Sequence, residues 1–351
     1  MLKKRIVMLL MVSLLVLSLA ACGKEDTKQE EEAALQEEVE KDNLEKDSAV
    51  ELNGISSDDL VMTVGDEEIS YREALSYIYM VKRQYESSLG DEIWTIDMGK
   101  KQSFGEYARE QIKSQMISLK IIKQKSKELD VSLTEDEKQE AKRLAEDFVE
   151  SADAKEAEKY GVTVNVMTGI YRDNLLAKKV YDVVTSSVDT SISEAEAKQI
   201  TVQYLMTMTK GTNKDGSKVN LSDSEKETAR ANTQLLRDQI KNGSDFYAIA
   251  EKNTDAPEVE ISFGELDAPK DFGKEAMQLK TGEISDVIKG ENGYYIVYCV
   301  NANDEAAMEE RKEEIIDARQ SEEFRKQYAS WTGDFKVILN KEIWNSVEVS
   351  R

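Results

Sequence analysis

Tyr204, in the run "ITVQYLMTM", and Tyr295, in "NGYYIVYCV", are the residues whose type and setting raise a chemical question. A phenol hydroxyl both donates and accepts a hydrogen bond, so two facing tyrosines on neighbouring strands can hold the shape of a polar site. They can equally be core aromatics of a sheet. No histidine occurs in the 351 residues, which removes a histidine-based triad, a histidine-ligated zinc and an imidazole general base. The loop "GTNKDGSK" (211–218) places Gly-Ser-Lys where a phosphate-cradling loop needs Gly-Lys-Ser/Thr, and it is not read as a nucleotide site. The acidic clusters "SDDL", "TEDE" and "NDEAAMEE" lack the spacing of a calcium loop and read as charges favoured at helix N-termini. Neither a cofactor nor a metal is expected.

The elements that would carry the two tyrosines follow from periodicity and punctuation. An Asn-Gly turn at 292–293 precedes alternating and then continuous apolar residues, the pattern of a buried strand entered from a hairpin. Around it the chain reads as a compact β-α-α-β-α-β-β unit. Its strands are expected at 200–208 and 259–264, its helices at 222–241, 245–253 and 273–279, and its closing hairpin runs from Ile284 to Val300. Both prolines, Pro257 and Pro269, fall in its loops. Before it, a short strand over 60–64 and a turn at Gly65–Asp66 lead into a helix capped by Ser70 with Glu73, on which Ala74, Ile78, Val81 and Tyr85 recur at helical spacing. Further capping boxes are expected at Thr134–Glu137, Ser193–Glu196 and Ser222–Glu225, with helices over 104–129, 135–150 and 164–188. Residues 303–351 predict a long helix followed by the short strand "FKVILN". Five methionines of the helical part (Met62, Met80, Met98, Met116 and Met167) read either as core or as a flexible apolar cradle.

Composition bounds the partners. The formal charge of −23 disfavours nucleic acid, whose phosphates need a basic surface. A charged fraction of 33% points to long exposed helices, while 40% apolar residues suffice for packed cores. The first residues join a basic start (Lys3, Lys4 and Arg5) to the apolar run 6–20, which is short for a span of roughly 20 residues and describes a secretory signal. The ending "LAAC" resembles a bacterial lipobox, which implies lipidation at Cys22 and leaves Cys299 as a free strand hydrophobe. Residues 24–51 hold twelve acidic and four basic residues and no aromatic, the composition of an extended spacer.

The segments "NGSDFYAIAEKNT", "ISFGEL", "DFGKEAMQLKTGEISDVI" and "NGYYIVYCV" resemble a parvulin-type peptidyl-prolyl isomerase domain over 200–302. With "VMTVGDEEISYREA", the helical arms, the returning C-terminal helix and the lipobox, the chain resembles the PrsA- and SurA-like extracytoplasmic foldases. The resemblance implies an α+β protein: a signal peptide over 1–21, a lipidated acidic linker over 22–58, a mostly helical chaperone domain over 59–199, an inserted parvulin domain over 200–302, and a return to the chaperone domain over 303–351.

By the same resemblance, both family histidines are replaced, by Tyr204 and Tyr295. The acidic position of the site falls near Glu260, and Phe263, Phe272 and Met277 line the proline pocket. Rotating an X–Pro bond faces a barrier of about 18–20 kcal/mol and needs no covalent chemistry, only a site that holds the twisted amide better than the planar one. The pocket's apolar wall is therefore expected to persist as a proline-sized hollow, and the loss of its polar pair predicts weak or absent isomerisation. The implied role is a lipid-anchored foldase at the outer face of the cell membrane, binding unfolded or newly secreted polypeptides, and a homodimer is compatible with its helical arms. A true isomerase using the two tyrosines, and an inactive lipoprotein docking one fixed partner, are the alternatives.

Overall fold

A computed structural model describes residues 47–99, 102–212 and 218–349. The signal segment, Cys22, the linker up to residue 46 and the centre of the 211–218 loop lie outside the described residues, whereas the end of the expected linker, residues 47–58, is folded: Glu51–Leu52 pairs with Ile55–Ser56 and Leu52 is buried in the first unit's core. The fold is α+β, in two compact units: one joins the chain up to Ser186 with Phe324 onward, the other runs from Ser187 to Glu323. Among the described residues no helix is long and apolar enough to cross a membrane.

In the first unit, strand Leu60–Val64 lies between Val337–Leu339 and Glu67–Ser70 in an antiparallel sheet. Helices Tyr71–Leu89, Phe104–Glu128, Glu135–Glu150 and Val164–Thr185 form the bulk of the unit, and their apolar stripes meet in one core. Reciprocal capping boxes start the helices at Glu135, Glu194 and Asp223, as expected, and a further one, Ser103 with Glu106, starts the helix at Phe104. The box at Ser70 is only half formed. Its hydroxyl accepts from Glu73 N at 3.2 Å, but the Glu73 carboxylate turns instead to Lys120 Nζ at 2.9 Å. Lys120 also meets Asp173 at 2.7 Å, and Lys123 ties Asp173 to Glu67, so a largely buried charge network joins three helices to the sheet edge. Met62, Met80, Met116 and Met167 are buried in this core rather than lining a cradle, and Met98 is partly buried. Flexible thioethers fill irregular gaps between crossing helices.

The second unit is built on an antiparallel sheet ordered Glu260–Phe263, Ile200–Met208, Gly293–Asn301, Ile288–Lys289. Helices Asp223–Lys241 and Phe246–Asn253 supply Leu236, Ile240, Phe246, Ile249 and Ala250 to a core that they share with Leu205 and Ile296 of the sheet. The expected strand and helix order is present, with a hairpin, Lys210–Thr212 and Lys218–Asn220, added after the first strand. The helix expected over 273–279 is the single turn Gly273–Ala276. Cys299 is a free, buried thiol on the closing strand, and burial pushes its pKa up.

Candidate functional site

Strand alternation decides which residues share a face. Ile200, Val202 and Tyr204 point to one side of the sheet, where they meet Phe263, Phe272, Tyr295 and Val297. The register sets Val297 opposite Tyr204 and Tyr295 opposite Met206. The two tyrosines are therefore diagonal neighbours on one face, a gap of roughly 7–8 Å that aromatic side chains can close.

Phe272 fills that gap. Its ring stacks on Tyr204 at 4.9 Å between centroids, lies 5.2 Å from Tyr295, and meets Phe263 edge-on at 6.3 Å. Tyr204 is 8% exposed, Tyr295 4%, Phe272 3% and Phe263 2%. The proline-sized hollow expected between Phe263 and Phe272 is thus occupied by the rings themselves. The reason is size and affinity: two phenols crowd the floor, and offset or edge-on aromatic pairs stabilise each contact by about 0.5–1.5 kcal/mol beyond area burial. Backbone geometry seats the inserted ring. Gly273 N and Phe272 N both donate to Pro269 O, and a Cβ at Gly273 would lie 2.7 Å from Ala268 Cβ, so the turn carrying Phe272 packs tightly on itself.

The carboxylate that joins this group is Asp271. The Tyr295 hydroxyl donates to Asp271 Oδ2 at 2.6 Å, and the same carboxylate accepts from Glu291 N at 3.0 Å, Asn292 N at 3.3 Å and Asn292 Nδ2 at 3.1 Å. Gly290 permits this approach, because a Cβ there would lie 2.6 Å from Asp271 Cβ and 2.7 Å from Tyr295 Cε2. Partial burial works to raise the Asp271 pKa, but the phenol and the turn N–H groups outweigh it and hold the carboxyl below its usual range. Burial, and then the Asp271 charge, push the Tyr295 phenol well up. Tyr204 is raised by burial and by the charge of Glu258.

Glu260, expected as the acid, is not part of this group. It pairs with Gln203 across the ladder and therefore shares the face away from Tyr204; it is exposed and accepts from Gln203 Nε2 at 2.8 Å. Met277 lies at the rim, partly buried with Met206, Ala256 and Ile288. The sequence carried no signal for Asp271 beyond its place beside Phe272 in a proline-containing turn.

Residues 209–301 match the sequence pattern of the Rotamase family, the PPIC-type PPIASE domain. The second unit carries a PPIC-type rotamase domain. The chain is also 28% identical over 162 residues to the foldase protein PrsA of Staphylococcus aureus, strain bovine RF122 / ET3-1, and equally to that of strain MRSA252. Each match covers 44% of this chain and 47% of the relative, so the chain spans about half the length of the curated relatives it matches. Among solved structures it is similar to the peptidylprolyl isomerase PrsA of Bacillus cereus, at 17% identity over 80% of this chain and 91% of that one, with a TM-score of 0.32. A PpiC-type isomerase domain aligns at 14% identity over 30% of this chain and 93% of its own, with a TM-score of 0.26. Within the rotamase domain, the ring stack and its Asp271 anchor come from this chain's own residues.

Proposed function

We propose that this protein is a membrane-anchored, extracytoplasmic foldase whose rotamase domain acts chiefly by binding polypeptide and isomerises X–Pro bonds weakly or not at all. The match to rotamase domains and the similarity to PrsA support a role in assisting newly secreted chains. Anchoring through a lipid on Cys22 is part of the proposal and rests on the lipobox and the acidic spacer. The assignment of Tyr204 and Tyr295 to the positions that family members fill with histidine is likewise part of the proposal and rests on the resemblance of "QYLM" and "GYYI" to the family's strand motifs.

The insertion of Phe272 between Tyr204 and Tyr295 is the observation that carries the reading. A prolyl ring needs an open apolar surface against which the twisted amide is held, and the rings that would form it are spent on one another. Binding is compatible with this geometry, because the partly buried side chains around the plug (Met206, Ile261, Met277 and Ile288) still offer apolar contacts. A prolyl-peptide isomerisation assay on the full chain, run beside suppression of aggregation of several unrelated denatured proteins, tests the proposal. Turnover near background with clear suppression is expected. Turnover comparable to an active parvulin would overturn the binding-first reading, and absence of suppression would remove the foldase role.

A further inference from the structure

The segment from Asn253 to Pro269 forms one lip of the aromatic cluster and carries five carboxylates, Asp255, Glu258, Glu260, Glu265 and Asp267, with no lysine or arginine. All five are exposed, and among the described residues none forms an ion pair. Three have local work. Asp255 accepts from Met208 N at 2.7 Å, Glu260 from Gln203 at 2.8 Å, and Asp267 from Gly264 N at 2.8 Å. Glu258 and Glu265 have no hydrogen-bond partner among the described residues.

The same lip includes a free sheet edge. Tyr204 N donates to Val259 O at 2.8 Å, which turns the backbone groups of Ile261 and Phe263 inward and those of Glu260 and Ser262 outward, on the outermost strand of the sheet. Outward-facing strand groups pair readily with an added extended segment. Leu266, 81% exposed, and the partly buried Ile261 add apolar surface beside them.

Building on the foldase reading, we infer that this lip selects client segments that are extended, apolar and basic, with the exposed, unpaired carboxylate of Glu258 receiving a lysine or arginine side chain. Charge complementarity fixes the class of occupant. An acidic segment would meet only like charge along the lip, and like-charge juxtaposition is strongly disfavoured in an interface.

The test is fluorescence anisotropy of the full chain with three labelled short peptides that share one apolar core and are flanked by lysine, glutamine or glutamate. The lysine peptide is expected to bind about tenfold more tightly than the glutamate peptide, the summed effect of a few surface charge pairs. That preference shrinks several-fold at about 0.5 M salt, where exposed charges are screened within a few ångströms. Glu258→Gln lowers the lysine-to-glutamate preference about two- to five-fold and leaves the glutamine peptide unchanged, while Glu275→Gln, outside the lip, changes neither. Equal binding of all three peptides, or a Glu258→Gln effect common to all three, overturns the inference and leaves the foldase reading standing. Binding of none of the three overturns both.

Discussion

The Tyr295–Asp271 bond makes a quantitative demand on the stability of the second unit. Tyr295→Phe removes one hydroxyl and leaves the ring, so the stack with Phe272 persists. A hydrogen bond to a charged group contributes about 1.5–3 kcal/mol, and the partial exposure of Asp271 puts this one near the lower end, at about 1.5 kcal/mol. Asp271→Ala costs more, about 2–3 kcal/mol, because the N–H groups of Glu291 and Asn292 also lose their acceptor. In the double variant the phenol has no carboxylate left to lose, so the two costs fall short of additivity by about 1–2 kcal/mol. Hydrogen exchange of the strand Gly293–Asn301 amides reads the second unit separately from the first. The coupling also has a pH signature. The Asp271 pKa is depressed in the folded chain, so its contribution is fully present above the unfolded value of about 3.9 and is lost as pH falls through the lower folded value. Coupling below about 0.3 kcal/mol at neutral pH, or coupling that survives strong acid unchanged, would refute the anchor.

Two further outcomes follow from the same reasoning. Lys120→Met strands the Glu73 and Asp173 carboxylates in the first unit and is expected to destabilise it by about 3–5 kcal/mol, read by denaturant unfolding through Trp94 and Trp344 fluorescence. In alkaline titration followed by phenolate absorbance, Tyr295 ionises only well above the ordinary tyrosine range. Its stabilisation is fully present below about pH 10 and is lost as pH rises toward the folded value, and Asp271→Ala brings the ionisation back toward that range.

Local patterns made most elements legible. Four-residue capping signals announced the helices at Glu135, Glu194 and Asp223, and an Asn-Gly turn announced the closing strand, because those structures are set by neighbours along the chain. The same four-residue signal, Ser103 with Glu106, starts the helix at Phe104. At Ser70–Glu73 the pattern was read and only half realised, since a buried lysine from another helix competed for the glutamate and won. Glu260 was misplaced because the exact register of its strand against Gln203 fixes its face, and a one-residue difference in alignment reverses every side chain.

The amino-acid order alone settled the absence of imidazole chemistry, the acidic charge, and an apolar sheet bearing Tyr204 and Tyr295. Whether that sheet kept an open hollow was decided in three dimensions. A turn distant in sequence from Tyr204 carries Phe272 across the sheet face and sets its ring between the two phenols, while Asp271 beside it anchors one of them. Periodicity reports which side of a strand a residue occupies; it holds no information on which loop will cover that side, because the covering contact is made between segments whose spacing along the chain encodes nothing of their approach.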